Sequence, residues 1–237
     1  LIDFLKDKDP ELRQKAAYVL AMMQNAEALD PLIAALSDKS PLVRRNAAMA
    51  LGLINNTKAV QPLIAALQDE DDQVKSTAAG SLGRLKDSRA VEPLTAMLSI
   101  TPSVERSKVR IVGIVGEGDW VAAFIDNSNA GDYKRVLDVG ATAAVALGKI
   151  GEVSLKSLTA ALTATNGWTR GSAIMGLSHM KSERAVGYLI GALKDDLDIN
   201  RRLAQGGLEE ITKEKFGSDQ EKWREWWEKK KTKKPPE

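Results

Sequence analysis

The stretch Pro31 to Val60, PLIAALSDKSPLVRRNAAMALGLINNTKAV, returns almost intact as Pro62 to Val91, PLIAALQDEDDQVKSTAAGSLGRLKDSRAV. Pro31, Pro62 and Pro93 stand 31 positions apart. A fixed period of that size restricts the fold more than any other feature of the chain. Each unit is too short to bury its own apolar face and must stack on its neighbours. A solenoid has no single core, so the 237 residues count repeats rather than globular domains.

Within each unit the pattern is helical twice over. Leu32, Ile33 and Leu36 recur at helical spacing, and Val43, Ala47, Ala50, Leu51 and Ile54 form a second inward stripe after a turn at Ser37 to Lys39. Asp30 before Pro31 and Ser40 before Pro41 read as helix starts, and Asp9-Pro10 and Thr101-Pro102 repeat that signal. Gly52 and Gly83 fall where neighbouring helices must approach closely, and Asn55-Asn56 ends the unit. Few aromatics and little β-branched alternation complete an all-helical reading.

The template extends to about seven units over residues 1 to 212. The first runs from Leu1 to Asp30 and the fourth starts at Pro93. In the fourth, Val112-Gly113 and Val115-Gly116 compete for the Leu51-Gly52 place, leaving a three-residue register ambiguity. The fifth is read in DWVAAFID, Asp119 to Asp126, a longer turn, and ATAAVALGKIG from Ala141. The sixth begins near Leu158 and the seventh at Leu189.

The pattern PLIAAL, then Asp, then VRRNAAMALG resembles HEAT repeats, and in particular the phycobilisome-lyase-type HEAT-like repeats. That resemblance implies a right-handed α-solenoid with the second helix of each unit on the concave side. It implies interaction modules more than any one chemistry, although bilin lyase subunits belong to the same group. Nothing in the chain matches a bilin-attachment chemistry.

After the repeats comes FGSDQEKWREWWEKKK, in which Trp223, Trp226 and Trp227 share one helical face. A capping helix over residues 213 to 228, covering the last repeat, is the expected role, with an aromatic docking site as the alternative. The final nine residues, KKKTKKPPE, carry five Lys against one Glu and read as a solvated basic tail. With a net charge of +2 overall, the body is close to neutral, which argues against a phosphate-backbone grip.

The catalytic inventory is thin. There is no cysteine, and His179 is the only histidine, so neither a usual zinc site nor a thiolate nucleophile is expected. VLDVGATAAVALG, Val136 to Gly148, begins like a nucleotide-binding strand and glycine turn but lacks the further glycines. GIVGEGD, Gly113 to Asp119, lacks a Walker lysine. Both are assigned to repeat helices. No cofactor, metal or small-molecule substrate is expected, and the reading is non-enzymatic.

Asp7, Asp38 and Asp69 each precede a cation by six residues, Arg13, Arg44 and Lys75, which predicts a ladder of ion pairs between units. Residues 45, 49 and 53 and their equivalents face outward on the concave helices. There Tyr18, Met22, Met49, Leu53, Val145 and Met175, with Arg45, form an apolar stripe where a solvated face would carry Glu, Lys and Gln. Flexible Met side chains and an aromatic suit a protein or peptide partner. The competing expectation is that curvature buries this face. No apolar run reaches the roughly 20 residues of a membrane span. The chain starts at Leu1 without an initiator Met, so an earlier segment or signal peptide, and hence the compartment, is left open.

Overall fold

The structure, a computed structural model, describes residues 1–100, 110–117, 120–126 and 133–233, and between 110 and 137 its backbone alone. Helices alternate in two layers. The inner layer is α1 (Pro10–Met23), α3 (Pro41–Ile54), α5 (Asp72–Leu85), α7 (Val139–Ile150), α9 (Gly167–His179) and α11 (Asp198–Thr212). The outer layer is α2 (Leu29–Ala35), α4 (Val60–Ala66), α6 (Val91–Met97), α8 (Leu155–Ala161) and α10 (Glu183–Ala192), with a 3₁₀ turn at Ile2–Lys6 in the first unit and α12 (Gln220–Lys233) after the last.

Repetition of sequence becomes repetition of packing. Leu20, Leu51, Leu82 and Leu147 on inner helices and Leu32, Leu63, Leu94 and Leu158 on outer ones are all fully buried, forming a continuous spine between the layers. Inner helices lie directly against one another along the array, whereas neighbouring outer helices touch far less. The stack therefore bends with the inner helices on the concave side. Small residues allow this closeness: a Cβ on Gly83 would sit 2.8 Å from the Ala146 Cα, and one on Gly52 would collide with Ser81. Inner helices α1, α3 and α5 end on residues with left-handed backbone, Gln24, Asn55 and Lys86.

Helix starts differ in detail from the sequence reading. Asp9 caps α1, accepting from the Glu11 N–H at 2.8 Å. Ser40 holds the cap position of α3 without a side-chain bond; its N–H instead donates to Asp38 Oδ1 at 2.8 Å. Asp30 lies inside the first turn of α2 rather than before it, because a 3₁₀ turn capped by Asn25 starts the rod earlier. Thr101-Pro102 lies outside the described residues.

The largest correction concerns the fourth and fifth units. Between α6 and α7 the backbone forms an antiparallel sheet, β1 (Arg110–Glu117), β2 (Trp120–Asp126) and β3 (Tyr133–Leu137), in the order β1-β2-β3. Trp120 to Asp126 of the expected fifth-unit helix and both Val-Gly pairs of the ambiguous register fall in this sheet, and Asp119 lies outside the described residues. β-branched residues broken by Gly113 and Gly116 favour extended chain over helix. Helix α7 then packs on both α5 and α6, taking the place of the inner helix of the fourth unit. The solenoid thus has six helix pairs among the described residues. The second helix expected in the fourth unit and the first expected in the fifth are replaced by an insertion in one turn, since α6 and α7 are one pair separated in sequence.

Candidate functional site

The ladder of ion pairs is present and mostly shielded from water. Arg13 forks onto Asp38 (Nε–Oδ2 2.6 Å, Nη2–Oδ1 2.9 Å), and Arg44 onto Asp69 (2.7 and 2.8 Å). Arg170 does the same to Asp195, with Asp196 beside it. Each arginine also donates to the two carbonyls at the start of its own turn, such as Asp38 O and Lys39 O for Arg44. Both partners of each rung are nearly buried, so these are bidentate, desolvated pairs. Burial alone would raise Asp69 and Asp195, but the arginine forks and backbone N–H donors outweigh it. Asp69 ends below its usual value and Asp195 at about 2.

The ladder stops on both sides of the fourth unit. Position 100, where the next acid would stand, is Ile100, and Lys75 pairs with Asp72 on its own helix at 2.6 Å. Gly140 replaces the next arginine; a Cβ there would sit 2.5 Å from the Ile100 carbonyl oxygen. A hydroxyl pair crosses this junction instead, with Ser76 Oγ donating to Thr142 Oγ1 at 3.0 Å, both buried. The glycine of the nucleotide-like string therefore packs on the chain's own turn. That string does open on a strand, β3, and only its later part is repeat helix.

Asp138 joins β3 to α7. Its carboxylate accepts from the Ala141 N–H at 2.8 Å, and burial raises it to about 6. It lies within the nucleotide-like string Val136 to Gly148, where the sequence reading gave it no role of its own; its place before Val139-Gly140 makes it the cap of α7.

The residues of the expected apolar stripe separate into two groups. Tyr18 and Met22 are 50% and 52% exposed on α1. Next to them on α3, Met49 and Leu53 are half-buried, each resting on the core while keeping part of its surface open. Arg45 reaches across to Gln73 Oε1 at 2.9 Å. Val145 and Met175 are each only 6% exposed, closed into a small cluster with Ala141 and Leu203. The close approach of α7, α9 and α11 covers them, so in this half of the array curvature buries the face. His179 is exposed, its Nδ1 3.0 Å from the Met175 carbonyl oxygen on its own helix. Among the described residues no three metal-ligating side chains converge, and no helix is long and apolar enough to cross a membrane.

At the other end α12 packs on α10. Trp223 is fully buried, its Nε1–H donates to the Gly217 carbonyl at 2.9 Å, and Phe216 meets its ring edge-on with centroids 4.9 Å apart. Trp226 and Trp227 are half-buried, with Lys230 and Lys231 over their rings. The helix continues to Lys233, beyond the expected end at residue 228. Residues 234–237 of the tail lie outside the described residues.

A model of HEAT repeats matches residues 1–73 and 30–112. A solved complex of CpcE and CpcF of phycocyanin lyase from Nostoc sp. PCC7120 contains a similar chain, 27% identical at a TM-score of 0.56, the match covering 89% of this chain and 75% of that one. A designed armadillo repeat protein is 16% identical at a TM-score of 0.45, covering 89% and 98% of the two chains. No curated protein matches the sequence. The chain is thus a solenoid of stacked helix pairs with an inter-repeat arginine–aspartate ladder, similar to HEAT repeats over residues 1–112 and to a chain of the phycocyanin lyase complex in its fold.

Proposed function

We propose that the chain is a non-enzymatic scaffold that binds a protein or peptide on the concave surface of its first two repeats. The observation that carries this reading is the open apolar stretch of Tyr18 and Met22 on α1 beside Met49 and Leu53 on α3, rimmed by Arg45. A mobile thioether surface around one aromatic adapts to an extended or helical ligand. Val145 and Met175 contribute to the packing of the later repeats and are left out of the binding surface. Likeness to a protein solved in complex with another subunit supports an assembly role.

Affinity purification from the native source, followed by mass spectrometry, identifies the partner. The double substitution Tyr18→Glu, Met49→Glu then lowers capture at least tenfold with an unchanged circular dichroism spectrum; unaltered capture rejects the site.

The same likeness favours one second reading, an accessory subunit of a lyase-type complex. Visible absorbance of a bound pigment in protein purified from the native source supports it, and a colourless complex with a non-pigmented partner rejects it.

A further inference from the structure

The concave face changes character at α5. The position held by Tyr18 on α1 and Met49 on α3 is Gly80 on α5 and Gly206 on α11. Gly206 is exposed, and a Cβ there would meet nothing within 4 Å. Gly80 is buried. A glycine has no side chain to fold away, so its burial means that other parts of the chain lie over the helix backbone at that point. Flanking inner helices do not close the same position on α3, where Met49, with α1 and α5 on either side, stays half open.

The element in reach is the inserted sheet. Strand β2 lies against α5 and α7, and β3 against α5. These are inner helices, which puts the sheet on the concave side of the array. The start of α7 is closed as well. Asp138 and Val139 are buried there, whereas Asp9 and Pro10 at the start of α1, and Ser40 and Pro41 at the start of α3, are exposed or half-buried. Helices α6 and α7 pair directly, so the sheet can leave the groove without unstacking the array.

We propose that the inserted sheet is an autoinhibitory occupant of the concave groove. It fills the stretch over α5 and α7, confines a partner to the first two repeats, and is displaced when a longer ligand runs on along the inner helices. The inhibitory role rests on the concave binding proposed above; the covering of α5 does not.

An arginine wedge tests the covering. In the whole chain Gly80→Arg should lower the melting point by about 4 °C or more. In a chain whose residues 101–137 are replaced by residues 37–40 it should raise the melting point slightly, because a glycine open to solvent in mid-helix is worse than arginine. Gly206→Arg, at a position already open, should raise both. A Gly80→Arg loss equal in the two chains shows that the helices themselves close the position and overturns the proposal, as does no loss in the whole chain. Amide exchange reads the same contact in the whole chain alone. Gly80→Arg should speed exchange in β2 and β3 at least tenfold with α3 and α9 unchanged; unchanged exchange in the strands overturns the proposal. For the inhibitory role, the partner captured from the native source should bind the replaced chain at least tenfold more tightly than the whole chain, and equal or weaker binding overturns it. Capture that Tyr18→Glu with Met49→Glu leaves unaltered rejects the concave site instead, and the two arginine measurements still decide the covering.

Discussion

Two buried acids respond to pH in opposite directions, and both responses are measurable at single residues. Asp138 is buried and raised to about 6, against roughly 3.9 in an unfolded chain. The folded state therefore takes up its proton first. Asp138 adds nothing to stability above pH 6, and as pH falls from 6 to 4 stability rises by about 3 kcal/mol. Asp138→Asn retains a cap and removes the buried charge. The substituted protein should match or exceed the parent in urea unfolding at pH 7, and its stability should no longer rise between pH 7 and 4.5. Asp195 behaves conversely. Its carboxylate is held at about 2, so its contribution is complete above pH 4 and disappears as pH falls toward 2. Arg44→Ala strands the Asp69 carboxylate in a nearly buried place, with an expected loss of about 3 kcal/mol in denaturant unfolding. Arg44→Lys should recover only part of it, since an ammonium cannot make the two-pronged contact.

Among elements, the tightest constraint lies between inner helices. Gly83→Ala places a Cβ 2.8 Å from backbone of α7, which cannot yield as a side-chain tip would; a loss of about 2 kcal/mol is expected in thermal or chemical unfolding. Helix α12 closes the far end of the array through Trp223. Trp223→Ala removes the largest fully buried side chain among the described residues and should cost about 4 kcal/mol, with α10 losing amide-exchange protection before α3 does. The inserted sheet occupies one turn of one repeat, and α6 and α7 already meet as a pair. Replacing residues 101–137 with the turn of repeat two, residues 37–40, should therefore leave a folded helical array by circular dichroism. Loss of cooperative unfolding would show that the sheet is needed to join the pair.

At the scale of the whole molecule the ladder and the insertion are linked. Rungs join the first three repeats and the last two, and are missing on either side of the fourth, where Ile100 and Gly140 stand in for acid and arginine. The array is two charge-registered segments joined by apolar packing and the Ser76–Thr142 hydroxyl pair. The open concave surface lies on the first segment, whereas Val145 and Met175 are buried on α7 and α9 and α12 closes the far end through Trp223.

Much of this was legible in the residues. The period, the leucine spine, the close glycines and the ladder spacing all follow from a unit that must stack on copies of itself, so each position has the same neighbour every time. Tyr18, Met22, Met49 and Leu53 could be placed on one face by helical spacing alone. Three things depended on tertiary structure. Whether a concave residue is open or covered depends on how close the next helix comes, which is why Met175 is buried and Met49 is not. Pairing of α6 with α7 is a contact between segments separated by a sheet, invisible to any local period. Asp138 is raised by burial, a property of the folded chain that no local spacing carries. Local pattern determined the repeating unit and its stacking chemistry, because those interactions recur at fixed spacing; the tertiary structure decided which surfaces remain open, because exposure belongs to the assembled array.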